Sequence, residues 1–295
     1  MLAFSGCKTG KTVSSTTNSQ QQEPGKISAA ALQEIKDKYP NENLVIISTS
    51  YGEMIARLFN ETPLHRDNFL KLTEKKYYDS LLFHRVINSF MIQGGDPDSK
   101  NAKADKLLGD GDIGYTVPAE FNQKLFHKKG VLCAAREGDD INPQKASSGC
   151  QFYIVQGKGF NDETLKKVEY RINRPILHQL TKNYLETPGN ETIKQRYESY
   201  QKEGKKDSLD ALKKKIDSLI IPEYEKTEHY TFSEEQRTAY KTIGGTPHLD
   251  GSYTVYGEII YGLSLIDKIA AVGTDKNDRP LTDVRMTVRI LKRVK

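Results

Sequence analysis

Apolar residues fall along this chain in two rhythms, and the change between them divides it. In the first half they come in short runs: Asn43-Leu44-Val45-Ile46-Ile47-Ser48-Thr49-Ser50, Val131-Leu132-Cys133-Ala134-Ala135-Arg136 and Ser147-Ser148-Gly149-Cys150-Gln151-Phe152-Tyr153-Ile154-Val155. Short runs rich in β-branched and aromatic residues, bounded by turn residues, predict strands. Tyr51-Gly52 supplies a turn after the first run, and residues 53–59 alternate enough to be its antiparallel partner. Residues 284–294 alternate through Val284, Met286, Val288 and Ile290, as a closing strand would. Short helices are expected at 28–39, from Pro63 onward (Pro suits the first helical turn) and at 262–271.

From about Asn161 to Ile243 the spacing becomes three and four: Leu165, Val168, Ile172, Ile176 and Leu180, then Leu209, Leu212, Ile216, Leu219 and Ile220. That is the stripe of amphipathic helices. Asn161-Asp162-Glu163 is a good helix start, 192–201 and 208–221 follow, and Ser233 caps a further helix at 233–240. Acidic and basic residues nearly balance here, an ordinary solvated helical surface.

Composition narrows the possible functions. A net charge of +5 over 295 residues is too weak and too evenly spread for a nucleic-acid-binding face. No apolar run approaches a membrane span. The three cysteines, Cys7, Cys133 and Cys150, lack metal-ligand spacing, and the six histidines are scattered singly, so no metal site is expected. Cys133 and Cys150 sit near the ends of two strands, either as buried free thiols or as a disulfide. The N-terminus, Met1-Leu2-Ala3-Phe4-Ser5-Gly6-Cys7-Lys8, runs into Thr, Ser, Asn and Gln as far as Gln22. Such a tract cannot bury enough surface to fold and reads as a tether.

The most informative stretch is Phe83-His84-Arg85-Val86-Ile87-Asn88-Ser89-Phe90-Met91-Ile92-Gln93-Gly94-Gly95-Asp96-Pro97. On composition it is a strand ended by turn residues, either lining a greasy recess with the Arg cation at its rim or lying in the core with an Arg that reaches solvent at a sheet edge. Its wording closely resembles the signature of the cyclophilin-type peptidyl-prolyl isomerases. Thr62-Pro63, Asn68-Phe69, Pro118-Ala119-Glu120-Phe121, the strands around Ala134-Ala135 and Gln151-Phe152-Tyr153, and His248-Leu249-Asp250-Gly251 with Tyr253-Thr254-Val255-Tyr256-Gly257 match that family in order.

The resemblance implies a mainly β fold: a closed antiparallel eight-stranded β-barrel capped by helices, here carrying an inserted α-helical subdomain. The implied parts are a tether at 1–26, the barrel domain at 27–160 and 244–295, and the insertion at 161–243, which either widens the peptide surface or only stabilises the domain. It also implies cis–trans isomerisation of Xaa-Pro bonds in proline-containing peptide segments, with no cofactor. By position Arg85 is the charged donor to the proline nitrogen, expected to be buried, and Gln93 holds the carbonyl side with backbone from Ala135 and Arg136. Phe90, Met91, Gln151, Tyr153, His248, Leu249 and Tyr253 would complete the substrate surface. His84 would pack behind Arg85 rather than act as a base. Three features depart from the family pattern: Arg136 where Asn is common, His248 where Trp is common, and a 137–148 loop longer by roughly six residues. Ser5-Gly6-Cys7 before a polar tract also resembles a bacterial lipoprotein processing site. Cys7 would then carry a lipid anchor to the membrane and place the protein in the cell envelope, acting on exported proteins; an unprocessed Cys7 leaves a cytoplasmic protein with an incidental cysteine. A non-catalytic peptide-binding module on the same fold is the alternative function.

Overall fold

The structure, a computed structural model, describes residues 25–294; Cys7 and the expected tether, apart from its last two residues, lie outside them. Ten strands and eight helices are ordered along those residues: α1 (Ala29–Lys38), β1 (Asn43–Thr49), β2 (Gly52–Leu58), α2 (Pro63–Glu74), β3 (Arg85–Ile87), β4 (Met91–Gly94), β5 (Thr116–Val117), β6 (Val131–Ala134), β7 (Ser147–Ser148), β8 (Phe152–Val155), α3 (Asp162–Ile172), α4 (Arg174–Glu186), α5 (Glu191–Lys202), α6 (Lys206–Tyr224), α7 (Glu234–Thr242), β9 (Val255–Tyr261), α8 (Ser264–Ala270) and β10 (Met286–Lys292). No helix among the described residues is long and apolar enough to cross a membrane.

Eight strands form one antiparallel sheet in the order β10-β1-β2-β9-β6-β8-β4-β3. It is curled but not closed, which corrects the expected barrel. β3 is only three residues long, and the backbone around it bonds to loop residues instead of to a facing strand. Val86 N–H donates to the Asp278 carbonyl (2.8 Å) and Phe83 N–H to that of Val284 (2.9 Å), and β10 meets the chain ahead of β3 at its first residue, where Met286 bonds Ser80 and Leu81 (2.9 and 2.8 Å) beside the Leu82–Arg285 bridge.

The run Leu44-Val45-Ile46-Ile47 is apolar throughout because both faces of β1 are covered. Leu44 and Ile46 pack with Leu32, Ile35 and Tyr39 of the α1 region, whereas Val45 and Ile47 enter the main core with Phe69, Leu70 and Leu72 of α2. At the centre of that core the Phe152 ring meets Phe69, Tyr78 and Phe83 at centroid distances of 5.4, 5.6 and 6.1 Å, all near edge-on.

Two stretches expected as single elements are divided. The signature is a hairpin rather than one strand: β3 and β4 pair Arg85 with Gln93, Val86 with Ile92 and Ile87 with Met91. Ser89 makes the turn in the left-handed region (φ 61°). Likewise 147–155 splits into β7 and β8. The stripe from Leu165 to Leu180 is two helices, because Pro175 starts a new one and the Asn173 side chain leaves the helix pattern to bond both backbone groups of Tyr230, at 2.8 Å each. The capping residues Asn161 and Ser233 stand where the sequence placed them, each in a reciprocal capping box.

Helices α3 and α7 pack on the sheet domain through Leu165, Phe232, Tyr240 and Phe126, while α4, α5 and α6 gather around Leu177, Leu180, Ile216 and Ile220. The segment leaves and returns at one point: Lys158 and Gly245 exchange backbone hydrogen bonds (3.2 and 3.0 Å). Gly245 passes so close to the strand lead-in that a Cβ there would lie 2.3 Å from the His127 carbonyl oxygen, so only glycine fits.

Candidate active site

Strand alternation sorts the signature residues onto two faces. Val86, Ile92, Ile154 and Leu132 point into the main core, so their neighbours at odd positions point the other way. Register then aligns these neighbours across four strands: Arg85 opposite Gln93, Gln93 opposite Tyr153, and Tyr153 opposite Cys133. One step along lies a second row, Ile87, Met91 and Val155. Met91, Cys133, Ala135, Tyr153, Val155, Val131, Val255 and Phe59 form a separate apolar cluster, with Phe90, Leu249 and Tyr253 packed against it. Residues as distant in sequence as Phe59 and Val255 thus share one surface, with the cation at one end of the polar row.

That row is a directed chain of hydrogen bonds. Arg85 Nη1 donates to Gln93 Oε1 (3.3 Å), Gln93 Nε2 donates to Gln151 Oε1 (3.1 Å), and Gln151 Nε2 donates to the carbonyls of Gly109 and Gly111 (2.7 and 2.8 Å). The buried Asp96 holds the same loop, accepting from Gly109 N–H (2.5 Å) and Asp98 N–H (2.8 Å). Beyond Gln93 the loop walls a recess of about 630 Å³, shared by Gln93, Ala135, Arg136, Gln151 and Tyr115. The apolar patch of Phe90, Met91, Tyr153 and Leu249 lies outside that recess, so the surface is a greasy patch and a polar recess with Gln93 beside both.

Arg85 is not buried. Its side chain is 42 % exposed, because β3 is the edge strand, and it faces Asp278 (Nε to Oδ2 3.5 Å, 43 % exposed). Such a pair is worth little in water, so the guanidinium remains available to a ligand that covers it. Ala135 is also more constrained than expected: its N–H donates to the Gln151 carbonyl (3.0 Å) and its carbonyl accepts from Ser148 N–H (2.8 Å). Its methyl, not its amide, therefore lines the site.

The departures from the family pattern are accounted for in space. The Arg136 guanidinium lies over the Tyr253 ring (4.4 Å), donates to the carbonyls of Ser252 (2.8 Å) and Glu137 (2.7 Å), and pairs with Asp139 (2.7 Å), so it staples the longer loop to the site wall. His248 is exposed and stacks on Phe90 (5.8 Å between centroids) as the flat cover on that side.

Several contributors were not singled out in sequence. Behind the patch, Tyr153 Oη lies 3.1 Å from His127 Nε2, and His127 Nδ1 lies 2.9 Å from Asp250 Oδ1. Asp250 stood inside the matching Leu249-Asp250-Gly251, but nothing local marked His127 or Asp278. Burial pushes the phenol of Tyr153 and the thiol of Cys133 well up from their ordinary values, so Cys133 is an inert apolar floor rather than a nucleophile. Cys133 and Cys150 are free and occupy different clusters on opposite faces of the sheet, which separates their thiols.

His84 packs behind Arg85, buried, and neither ring nitrogen makes a well-formed hydrogen bond. Burial, opposed by Asp96 and reinforced by the Arg85 charge, lowers its pKa to about 4. The unfolded chain therefore takes up this proton first. The stability it provides is full above pH 6.5 or so, and falls as the pH drops from there toward 4, by ~1 kcal/mol at pH 5.5. Urea melts across that range should show the loss, and His84→Leu should reduce it. His65, also lowered by burial, contributes in the same direction.

Comparison with known proteins points to one family. The family model described as cyclophilin type peptidyl-prolyl cis-trans isomerase/CLD matches residues 44–167 and 164–289. A Staphylococcus aureus (strain COL) protein provisionally named as a peptidyl-prolyl cis-trans isomerase is 30 % identical over 84 % of this chain and 91 % of its own length. A Streptococcus pyogenes protein, provisionally named as a bifunctional phosphatase/peptidyl-prolyl cis-trans isomerase, is 29 % identical over 81 % of this chain, which spans 37 % of that longer protein. Among solved structures, a Cryptosporidium parvum cyclophilin type peptidyl-prolyl cis-trans isomerase superposes with a TM-score of 0.49 at 19 % identity, covering 84 % of this chain and 97 % of its own. The chain belongs to the cyclophilin-type peptidyl-prolyl cis-trans isomerase family.

Proposed function

We propose that the family's isomerase activity resides on the Arg85–Gln93–Tyr153 row, acting on Xaa-Pro bonds of exported proteins. The observation that carries this reading is the register: a donor cation, an amide and an apolar patch on one face, with no competing nucleophile among them. Rotation about an Xaa-Pro bond loses amide resonance, a barrier of about 18–20 kcal/mol, and needs no covalent step. Phe90, Met91, Tyr153 and Leu249 hold the proline ring while Gln93 holds the carbonyl side. Arg85 donates to the nitrogen as it becomes pyramidal and stops sharing its lone pair. The preceding peptide residues run past Ala135 into the recess walled by Gly109, Gly111 and Arg136.

Residues 161–243 are then an insertion into the family fold, a reading supported by the paired exit and return at Lys158 and Gly245. An envelope location through a lipid on Cys7 completes the proposal. Two measurements test it. Amide shifts on titration with a proline tetrapeptide should centre on residues 85–93, 151–153 and 248–253; shifts confined to the helical segment would overturn the site. Mass of the protein from a membrane fraction should show a lipid on Cys7, and an unmodified N-terminus would end the anchor reading.

A further inference from the structure

The helical segment reaches the proposed pocket through a buried line of polar groups. Asp250 is its hub, 5 % exposed. Its Oδ2 accepts from the hydroxyls of Tyr240 (2.6 Å) and Tyr230 (3.1 Å), and Tyr230 in turn accepts from Gln236 Nε2 (3.0 Å); all three partners belong to residues 230–240. Its Oδ1 accepts from the backbone N–H of His127 (2.8 Å) and lies 2.9 Å from His127 Nδ1. A carboxylate oxygen accepts from Nδ1–H, and in the tautomer that this contact selects Nε2 is an acceptor. Tyr153 Oη, 3.1 Å away, is placed to donate to it. The rings of His127 and Tyr153 lie nearly parallel (16°), with Tyr253 edge-on to both. His127 and Tyr240 are fully buried, which shields the contact between them and Asp250 from solvent.

We propose that Tyr240, Asp250 and His127 are positioning residues that set the Tyr153 ring in the proline pocket, and that through them the helical segment tunes substrate binding. This rests on the assignment of the pocket above. The segment is thereby more than a spacer: α7 supplies one end of the line and the pocket floor is the other. Just after α7, Gly244 accepts from Lys129 N–H (2.9 Å), Gly245 exchanges bonds with Lys158, and Thr246 N–H donates to the His127 carbonyl (2.8 Å), so a shift of α7 is passed to the line through its own anchor.

The test is Tyr240→Phe, which deletes one hydroxyl and keeps the ring that packs against Phe126, Phe160 and Phe232. The full-length protein and the variant are compared by isomerisation kinetics with a proline tetrapeptide and by NMR of labelled tyrosine rings. The expected result is a KM raised about three- to ten-fold with kcat nearly unchanged, and a displaced Tyr153 ring resonance. Tyr153→Phe cuts the line at its far end, so in that background Tyr240→Phe should add less than it does alone. Strictly additive KM effects, or an unmoved Tyr153 resonance in a folded variant, would overturn the relay. A displaced resonance in a protein whose wild type does not isomerise would retain the line of contacts, defeat the assignment of the pocket and overturn the role in substrate binding.

Discussion

Arg85→Ala is expected to lower kcat/KM for an Xaa-Pro tetrapeptide about ten- to a hundred-fold. A hydrogen bond from a charged donor is worth roughly 1.5–3 kcal/mol, and 1.36 kcal/mol is a factor of ten in rate. The loss should appear mainly in kcat, since the bond to the nitrogen strengthens only as the amide twists. Stability should change by less than ~0.5 kcal/mol, because the side chain is half-exposed and its ion pair with Asp278 is loose. Arg85→Lys should recover little: an ammonium has no planar fork to reach Gln93 and the substrate together. A stopped-flow assay with matched thermal melts separates these effects. An Arg85→Ala protein with unaltered kcat would remove Arg85 from the mechanism.

Asp250→Ala has the largest expected effect on stability. Four donors converge on this carboxylate: the His127 backbone N–H, its ring, and the hydroxyls of Tyr230 and Tyr240. Alanine removes the acceptor from the fully buried His127 and Tyr240 and from the partly buried Tyr230. Removing one member of a buried charged network costs about 3–5 kcal/mol. Urea unfolding should therefore shift its midpoint strongly downward, with α3 and α7 loosening first, as read by hydrogen exchange. Asp250→Asn keeps the volume but turns an NH₂ toward some of those donors, so an intermediate loss is expected. A loss under 1 kcal/mol for the alanine variant would mean that the hub is not the joint between sheet and helices.

Much of the site was legible because it is written contiguously. Arg85, Phe90, Met91 and Gln93 lie within one hairpin, and Gln151 immediately precedes the strand of Tyr153, so strand alternation puts Arg85, Met91, Gln93 and Tyr153 on a common face once register is known. The hairpin turn itself was missed, since Asn88-Ser89 is flanked by apolar residues on both sides and periodicity does not see a φ of 61° at Ser89. The closed barrel was also wrong for a local reason: whether an edge strand finds a partner depends on loop residues such as Asp278, which carries no strand pattern but takes the Val86 N–H. Exposure of Arg85 follows from that open edge. His127 was hidden most completely, because a lone histidine reads the same whether it is a surface residue or the middle of a buried line. Its role exists only where residues 123 positions apart in sequence, His127 and Asp250, meet.

The pairing of these partners between the sheet and the helical segment also explains why the helices tolerate an ordinary charged exterior. Their contribution to the fold is carried by few buried groups, Leu165, Phe232 and Tyr240, and by the Asn173 clasp on Tyr230. Substitutions on the outer faces of α5 and α6 should therefore leave the pocket unaffected.

The central claim is that the face bearing Arg85, Gln93 and Tyr153 turns prolyl bonds, and protease-coupled isomerisation of a proline tetrapeptide tests it most directly. Uncatalysed exchange takes tens to hundreds of seconds, so catalysis is visible as a first-order phase whose rate rises linearly with protein concentration. The expected result is such a rise for the wild-type chain and a slope reduced at least ten-fold by Arg85→Ala. A wild-type slope no greater than that of the Arg85→Ala protein would contradict it.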